Sequence, residues 1–283
     1  MKRFIFRIAK YWFIRFGTEE MVEKAIPEIA TAAGVDLLLS AYHNMGILKW
    51  ENDYLSGEHY FLTKCLVQHI KSPNPIFFDV GANVGEYSKN LRRGFPGASI
   101  YAFEPNVNTY AIMRDALAPL GVNCFELGVS SQITSSVMYT YKHELASQHA
   151  SIYKDVLTDL HAVDQVEELE FKTTTIDAFC EANDIEFIDL LKIDTEGHEW
   201  EVLAGARRML AGQRIKFIQF EFNEMNIISR VFLKDFYQLL EGYGIYRLDS
   251  GRLIPLLKYC STNEIFKFQN LLAVSDRVGP LLC

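Results

Sequence analysis

Apolar and polar positions follow two different periods between residues 76 and 242. Short runs of consecutive apolar residues alternate with longer stretches in which apolar residues recur every three or four positions. Alternation of strands and helices is typical of a parallel sheet covered by helices on both faces, so we predict a doubly wound α/β fold. The predicted strands are 76–80, 99–103, 122–128, 187–193 and 215–222, and the predicted helices are 84–94, 106–118, 199–211 and 230–242.

The pattern changes on both sides of this region. Residues 1–72 read as an N-terminal helical extension, in which one helix begins at Thr18 and ends near Gly34. The polar breaker at 71–75 marks the start of the second domain, 73–283. Near the end of the chain, 245–248, 252–257 and 265–274 are strand-like without an intervening helix, so the mostly parallel sheet should finish with antiparallel strands.

A long polar segment interrupts the alternation in the middle of the chain. Two predicted strands, 137–141 and 168–174, enclose the polar span 142–164. Long irregular insertions in compact domains often act as lids or binding loops. We expect this span to recognise the acceptor, although a solvated loop fits the pattern as well.

Charge and cysteine content exclude several classes of protein. The net charge is −8 and the pI is near 5.4, whereas nucleic-acid binding depends on clustered cations, so no nucleic-acid partner is expected. The five cysteines form no C-x-x-C pair, which argues against a zinc site and a disulfide framework and favours the cytoplasm. No run of about 18 uncharged apolar residues is present, so no spanning helix is expected.

Residues 1–17 combine basic and aromatic side chains. Wound as a helix, they place an apolar arc opposite Arg3, Arg7 and Lys10, although Arg15 interrupts the arc. Such a helix suits peripheral contact with a membrane surface. Packing on the rest of the protein or on a second subunit is the favoured interpretation, because amphipathic helices are common core elements. The sequence leaves the oligomeric state undetermined.

A glycine turn follows the first strand of the sheet. Gly81, Asn83 and Gly85 come directly after Asp79, and the glycines let a ligand approach the backbone. The spacing differs from the G-x-G-x-x-G of dinucleotide sites, and Asp79 would repel a phosphate. A sulfonium and an ammonium could be held by that carboxylate. The turn therefore favours S-adenosylmethionine over a phosphorylated cofactor.

Further acids stand at or near predicted strand ends. Glu104 lies a little more than 20 residues beyond Gly81, where doubly wound folds place the acid that hydrogen-bonds a ribose. Taken alone, this acid fits a nicotinamide cofactor equally well. Glu126, Asp194 and Glu221 would share the same rim, where a bound cation would offset their repulsion.

Several separated blocks agree with one known family. The sequence LLKIDTEGHE at 190–199, together with FFDVGANVGEYS, YAFEPN, TTTIDAF and the strand containing Glu221, resembles the signature of FkbM-type methyltransferases over roughly residues 57–274. This is a class I family that methylates hydroxyls of sugars and natural products. The resemblance implies a seven-stranded, Rossmann-like sheet, S-adenosylmethionine as cofactor, and a saccharide or other small molecule as acceptor.

The cofactor residues are assigned from backbone access and hydrogen-bonding capacity. Pro105 and Asn106 follow Glu104 as they do in the resembled family, and Asn106 could equally cap the next helix. Ser130 is a weaker candidate for a place near the adenine. The cofactor-binding set is Asp79, Gly81, Asn83, Gly85, Glu104, Pro105, Asn106 and Asp194.

Methyl transfer to a sugar hydroxyl requires alignment and a base, because the hydroxyl is a weak nucleophile. Glu196 and His198 are the candidate catalytic residues, with Asp194 orienting them or facing the cofactor. Glu196 is the first choice because Gly197 would permit a tight turn and because the resembled family has this acid in its signature. Glu196 and Glu199 could instead serve only the helix dipole, and for His198 a capping or surface role is favoured.

Other readings of the sequence stay open. Asp194, Glu221 and Asn223 would be the oxygen ligands expected for magnesium, but nothing in their spacing requires a metal and none is predicted. The first alternative function is an NAD-dependent oxidoreductase on a similar sheet. The second is a non-catalytic module that binds glycans or partners on a methyltransferase fold.

Overall fold

The computed structural model describes residues 18–141, 151–153, 155–156, 158, 166–279 and 281. The chain divides into two compact units, Met1–Met45 and Gly46–Cys283. The predictions for residues 1–17 and for most of the span 142–164 lie outside the described residues.

The first unit contains two described helices, α1 (Glu19–Ala33) and α2 (Leu37–Asn44). As predicted, α1 begins at Thr18, whose side chain accepts a hydrogen bond from the Met21 amide, and ends at Gly34 with φ of +67°. In the described part of the chain, no single helix is long and apolar enough to cross a bilayer. Only the stretches Glu23–Ala33 and Leu37–Asn44 together reach that length and apolarity, as a pair bent by 106°.

The second unit is built on a sheet of eight strands among the described residues, in the order β10-β9-β11-β8-β7-β1-β2-β3. Strands β3, β2, β1, β7 and β8 are parallel, and β11 runs antiparallel to β8 and β9. The order confirms the doubly wound α/β class with an antiparallel end. The strands are β1 (Ile76–Val80), β2 (Ser99–Phe103), β3 (Asn123–Phe125), β7 (Ile188–Ile193), β8 (Ile215–Phe222), β9 (Tyr243–Asp249), β10 (Arg252–Pro255) and β11 (Gln269–Ser275).

The sheet has one strand more than the seven implied by the family resemblance. The additional strand β10 forms a hairpin with β9, with Arg252 opposite Asp249. Gly251, at φ of +84°, supplies the left-handed backbone conformation of the connecting turn.

Helices cover both faces of this sheet, and neighbouring strand residues point to opposite sides. The helices of this unit are α3 (Asp53–Ser56), α4 (residues 58–69), α5 (Glu86–Gly94), α6 (Val107–Leu117), α7 (Ile176–Ala182), α8 (Glu199–Ala204), α9 (Arg207–Ala211), α10 (Met225–Ser229) and α11 (Leu233–Leu239). Phe78 and Leu191 join the core under α7, α8, α9 and α11, whereas Phe77 and Leu190 join the core under α4, α5 and α6.

Helix α4 belongs to the sheet-containing unit, although the sequence suggested a division at residue 72. Its central part, Phe61–Leu66, is π-helical, and Phe61, Cys65 and Leu66 are fully buried in the core. The unit therefore begins at Gly46, and the breaker at 71–75 leads from α4 into β1.

The segment in which strands and helices stop alternating contains a second sheet. In the described residues this sheet has three strands, in the order β4-β6-β5. It contains β4 (Gly128–Val129), β5 (Ser135–Tyr141) and β6 (Val166–Thr174). The predicted strand 122–128 is thus divided between two sheets. The predicted helix 199–211 is also divided, into Glu199–Ala204 and Arg207–Ala211. Gly205, at the break, packs closely on the β4 loop, since a Cβ there would lie 2.1 Å from the Ser130 carbonyl oxygen.

Candidate active site

A cleft opens at the carboxyl ends of β1, β2 and β7, where ligands of doubly wound sheets usually bind. It encloses about 730 Å³ of space, part of it open to solvent. The structure brings seven of the predicted site residues to its wall. They are Gly81, Asn83, Glu104, Pro105, Asp194, Glu196 and His198, joined by apolar side chains such as Leu127, Val129, Met138 and Phe171.

The glycine turn after β1 touches the loop after β7. Gly81 has φ of +74°, its amide donates to the Phe103 carbonyl at 3.0 Å, and a Cβ there would lie 1.7 Å from the Asp194 carbonyl oxygen. Only glycine fits this close approach. Gly85, at φ of +86°, does not line the cleft; a Cβ there would lie 2.7 Å from Leu117, so it allows α6 to pack on the turn.

Asp79 lies beneath the turn and does not line the cleft. Its carboxylate is fully buried, accepts a hydrogen bond from the Ser88 hydroxyl at 2.7 Å, and lies 3.6 Å from the Lys192 ammonium. These contacts tie β1 to α5 and to β7. The structure therefore places Asp79 where it supports the turn from below.

Lys192 is a site residue that the sequence analysis did not identify. Its ammonium lies 3.0 Å from an Asp194 oxygen. Burial alone would favour the neutral amine, but the charges of Asp194, Asp79 and Glu58 outweigh it and raise the Lys192 pKa. A lysine inside the apolar strand LLKI was the available signal, because a buried lysine needs carboxylate partners.

Glu104 is fixed between two loops. Its carboxylate accepts the Asn83 amide at 3.0 Å and the Asn106 amide at 2.9 Å, and burial raises its pKa to about 7 against the effect of these bonds. Each oxygen can still accept from a ribose hydroxyl. Asn106 does not line the cleft; it caps α6 by accepting from the Asn108 and Thr109 amides.

The loop after β7 is held by Glu199, which the sequence suggested only as a helix-dipole acid. One buried carboxylate oxygen accepts from the Thr195 amide at 3.0 Å, the Thr195 hydroxyl at 3.1 Å and the Gly197 amide at 3.1 Å. Burial raises the Glu199 pKa to about 7. Glu196 sits in this loop with φ of +54°, an uncommon conformation that tends to occur at functional sites.

His198 is buried and faces the cleft without capping α8 through its side chain. Its Nε2 lies 2.9 Å from the Ser130 hydroxyl, and burial lowers its pKa to about 4, so the ring is neutral at pH 7. Ser130 contacts this ring and does not line the cleft.

Acidic side chains crowd beside the loop. Glu221 accepts from the Asn223 amide nitrogen at 3.2 Å. Burial raises the Glu221 pKa well above its usual value, and the charges of Asp194 and Glu196 raise it further. The neutral form of Glu221 is therefore more favoured than that of an exposed glutamic acid. Glu126, by contrast, is exposed and outside the cleft.

The residues that line the cleft fit S-adenosylmethionine, the cofactor implied by the family resemblance. Glu104 offers acceptors for ribose hydroxyls, and Gly81 leaves room beside the backbone. The side-chain oxygen of Asn83 is buried and has no hydrogen-bond partner among the described residues, so it can accept from a ligand. Among those residues, no group of three or more histidine, cysteine or acidic side chains is arranged to hold a metal.

Several known proteins are similar to this chain. A 2-O-methyltransferase, NoeI of Sinorhizobium fredii, is 22% identical over 169 residues, covering 57% of this chain and 69% of the relative. The hexuronic acid methyltransferase AglP of Haloferax volcanii is 27% identical over 150 residues, covering 52% and 56%. A crystal structure of a methyltransferase FkbM from Methylobacillus flagellatus shares 14% identity with a TM-score of 0.43, covering 83% of this chain and 58% of that one.

The family comparison matches the central part of the chain. The model of the methyltransferase FkbM domain matches residues 79–244, which is more than half of the chain. The matched range contains the glycine turn, Glu104 and the loop held by Glu199. The predicted family is confirmed: the chain belongs to the FkbM methyltransferase family and is an enzyme that uses S-adenosylmethionine.

Proposed function

We propose that this enzyme transfers the methyl group of S-adenosylmethionine to a hydroxyl of a saccharide or of a glycosylated natural product. The names of NoeI and AglP, a 2-O-methyltransferase and a hexuronic acid methyltransferase, support this acceptor class. The family match favours methyl transfer over the oxidoreductase and the non-catalytic module.

The observation that carries the proposal is the position of Glu196. This residue lines the donor cleft beside Asp194, in a loop that Glu199 fixes with three hydrogen bonds. A sugar hydroxyl has to lose its proton as it attacks, so a rigidly placed carboxylate suits this reaction. Burial raises the pKa of the neighbouring Glu221 and so favours its neutral form, which lessens the repulsion between Glu221 and Glu196.

Different residues of this chain serve donor binding and proton removal. The donor, when bound, supplies a methyl carbon activated by a positively charged sulfur. Glu104 accepts from the ribose hydroxyls, and Glu196 takes the proton of the acceptor hydroxyl.

The first experiment identifies the acceptor. The purified chain is incubated with methyl-labelled donor and either a panel of free saccharides or fractionated cell extract, and labelled products are identified by mass. We expect a methyl ether on a sugar or glycoside hydroxyl. Label found only on amines or carboxylates, or on nucleic acid, would contradict the proposed acceptor class.

The second experiment tests the base. Glu196→Gln should lower kcat by about 10²- to 10⁴-fold, the usual range for loss of a positioned base, while calorimetry shows donor affinity changed by less than about threefold. Glu186→Gln serves as the control, because Glu186 is exposed and precedes β7 at the opposite end of the sheet. Wild-type turnover in the Glu196 variant would remove this residue from the mechanism.

A further inference from the structure

A second cavity adjoins the donor cleft at the glycine turn. It encloses about 1130 Å³, part of it open to solvent, and lies between α3, α4, α5 and the end of β7. Gly81, Asn83 and Asp194 line both cavities, so a ligand bound at Glu104 can extend from one into the other.

Glu58 is held on the wall of this cavity by a buried polar network. The Gln219 amide donates to one carboxylate oxygen at 2.6 Å, and the Ser56 hydroxyl donates to the other at 3.2 Å. Gln219 is itself fixed, because it is 1% exposed and its oxygen accepts from the Tyr87 hydroxyl at 2.6 Å. The network joins α4 to β8 and α5, so the direction of the carboxylate is set from several sides.

The backbone before Glu58 is fixed as well. Gly57 has φ of +87°, and a Cβ there would lie 2.5 Å from the Asp249 amide nitrogen. The chain thus enters α4 in tight contact with β9, which leaves Glu58 little freedom to move away from the cavity. The polar network and the close backbone contact together fix the position of the Glu58 carboxylate. An acid that only faced solvent would need neither.

Carboxylates outnumber cations around this cavity. Asp53, Glu58, Glu86 and Asp194 line it, against one lysine among the described lining residues, Lys192. That lysine is already engaged, at 3.0 Å from Asp194 and 3.6 Å from Asp79. Burial raises the pKa of Glu58, Lys192 opposes the rise and Asp194 adds to it. A ligand cation in the cavity would offset the excess negative charge.

We propose that Glu58 binds the α-ammonium group in the methionine part of S-adenosylmethionine, so that a residue preceding the matched range 79–244 completes the donor site. An ammonium offers three donors, and the Glu58 oxygens keep acceptor capacity beyond their two hydrogen bonds. This inference rests on the proposed function only in taking S-adenosylmethionine as the methyl donor.

The test compares two ligands that differ in the amino-acid part. Calorimetry on the full chain measures S-adenosylhomocysteine, which carries the ammonium, and 5′-methylthioadenosine, which shares the adenosine but lacks it. Glu58→Gln should weaken S-adenosylhomocysteine by about 10- to 100-fold, as expected for a hydrogen bond to a charged group, and methylthioadenosine by less than about twofold. Glu51→Gln, an exposed acid outside both cavities, should leave both affinities unchanged.

The two-ligand comparison separates binding from a merely structural role. Equal weakening of both ligands, or no weakening of either, overturns the assignment of Glu58 while leaving the proposed function standing. If the Gln variant fails to fold, Glu58→Asp retains the charge at a shorter reach and should show the same selective loss to a smaller degree. A wild-type chain that binds neither ligand would instead overturn the proposed function.

Discussion

Replacing Gly81 by alanine tests whether the contact between the glycine turn and the loop after β7 shapes the donor site. An alanine Cβ would lie 1.7 Å from the Asp194 carbonyl oxygen and 2.8 Å from its carbonyl carbon. Both atoms belong to backbone, so no side chain can rotate away and one loop has to move. The residue would also keep φ near +74°, where alanine is disfavoured.

The expected loss follows from these two effects. Left-handed backbone costs an alanine about 1–2 kcal/mol, and overpacking of this kind costs about 1–3 kcal/mol. We therefore expect the free energy of unfolding to fall by about 2–5 kcal/mol, a large share of the roughly 5–15 kcal/mol typical of a folded domain. Because Asp194 is displaced, the affinity for S-adenosylmethionine should fall as well.

A matched variant isolates the contact. Gly121 has φ of +68°, but apart from its two neighbours in the chain, a Cβ there would meet no atom of the described residues within 4 Å. Gly121→Ala should therefore lose only the backbone contribution of about 1–2 kcal/mol and keep donor affinity. Urea unfolding followed by circular dichroism measures both losses, and calorimetry measures donor binding. Equal destabilisation of the two variants with unchanged donor affinity would refute the argument.

Two further predictions concern the acids that shape the site. Burial raises the Glu104 pKa to about 7, and only the ionised carboxylate accepts from both ribose hydroxyls. The affinity for the donor should therefore rise as pH increases from about 5.5 and level off above about 7.5. Below that plateau, donor binding should release a proton from Glu104. Calorimetry in buffers of different ionisation enthalpy measures this release, and an affinity independent of pH would contradict it. Glu199→Ala removes one acceptor from three donors in the 195–197 loop, so kcat should fall at least about tenfold, whereas Glu199→Gln keeps an acceptor oxygen and most activity. Equal activity of these two variants in the labelled-methyl assay would argue against a positioning role for Glu199.

The parallel half of the sheet was predictable because its strands are short apolar runs that end in recognisable turns. The bounds of β1 and β2 match the predicted ones, since a glycine turn and Glu104 mark their ends. Helix α4 was harder to assign. Its apolar spacing predicts a helix, but the packing that joins it to the sheet-containing unit arises only in the folded chain.

Side-chain direction was the least predictable property of the site. A strand end tells which edge a residue occupies, but not whether its carboxylate points into the cleft or beneath the turn. Glu104 points into the cleft, whereas Asp79 is drawn beneath the turn by Ser88 and Lys192. Likewise, the role of Glu199 depends on a loop that folds back over its carboxylate, and spacing along the helix does not show this.

The position of β11 has a consequence for how the molecule assembles. This strand follows β9 and β10 along the chain, yet it lies between β8 and β9, and all seven of its residues are buried. Until β11 has been synthesised, the hairpin of β9 and β10 therefore lacks the strand that joins it to the sheet, and one edge of β8 stays unpaired. Such long-range pairing slows folding, and during this interval the nascent chain should depend most on chaperones.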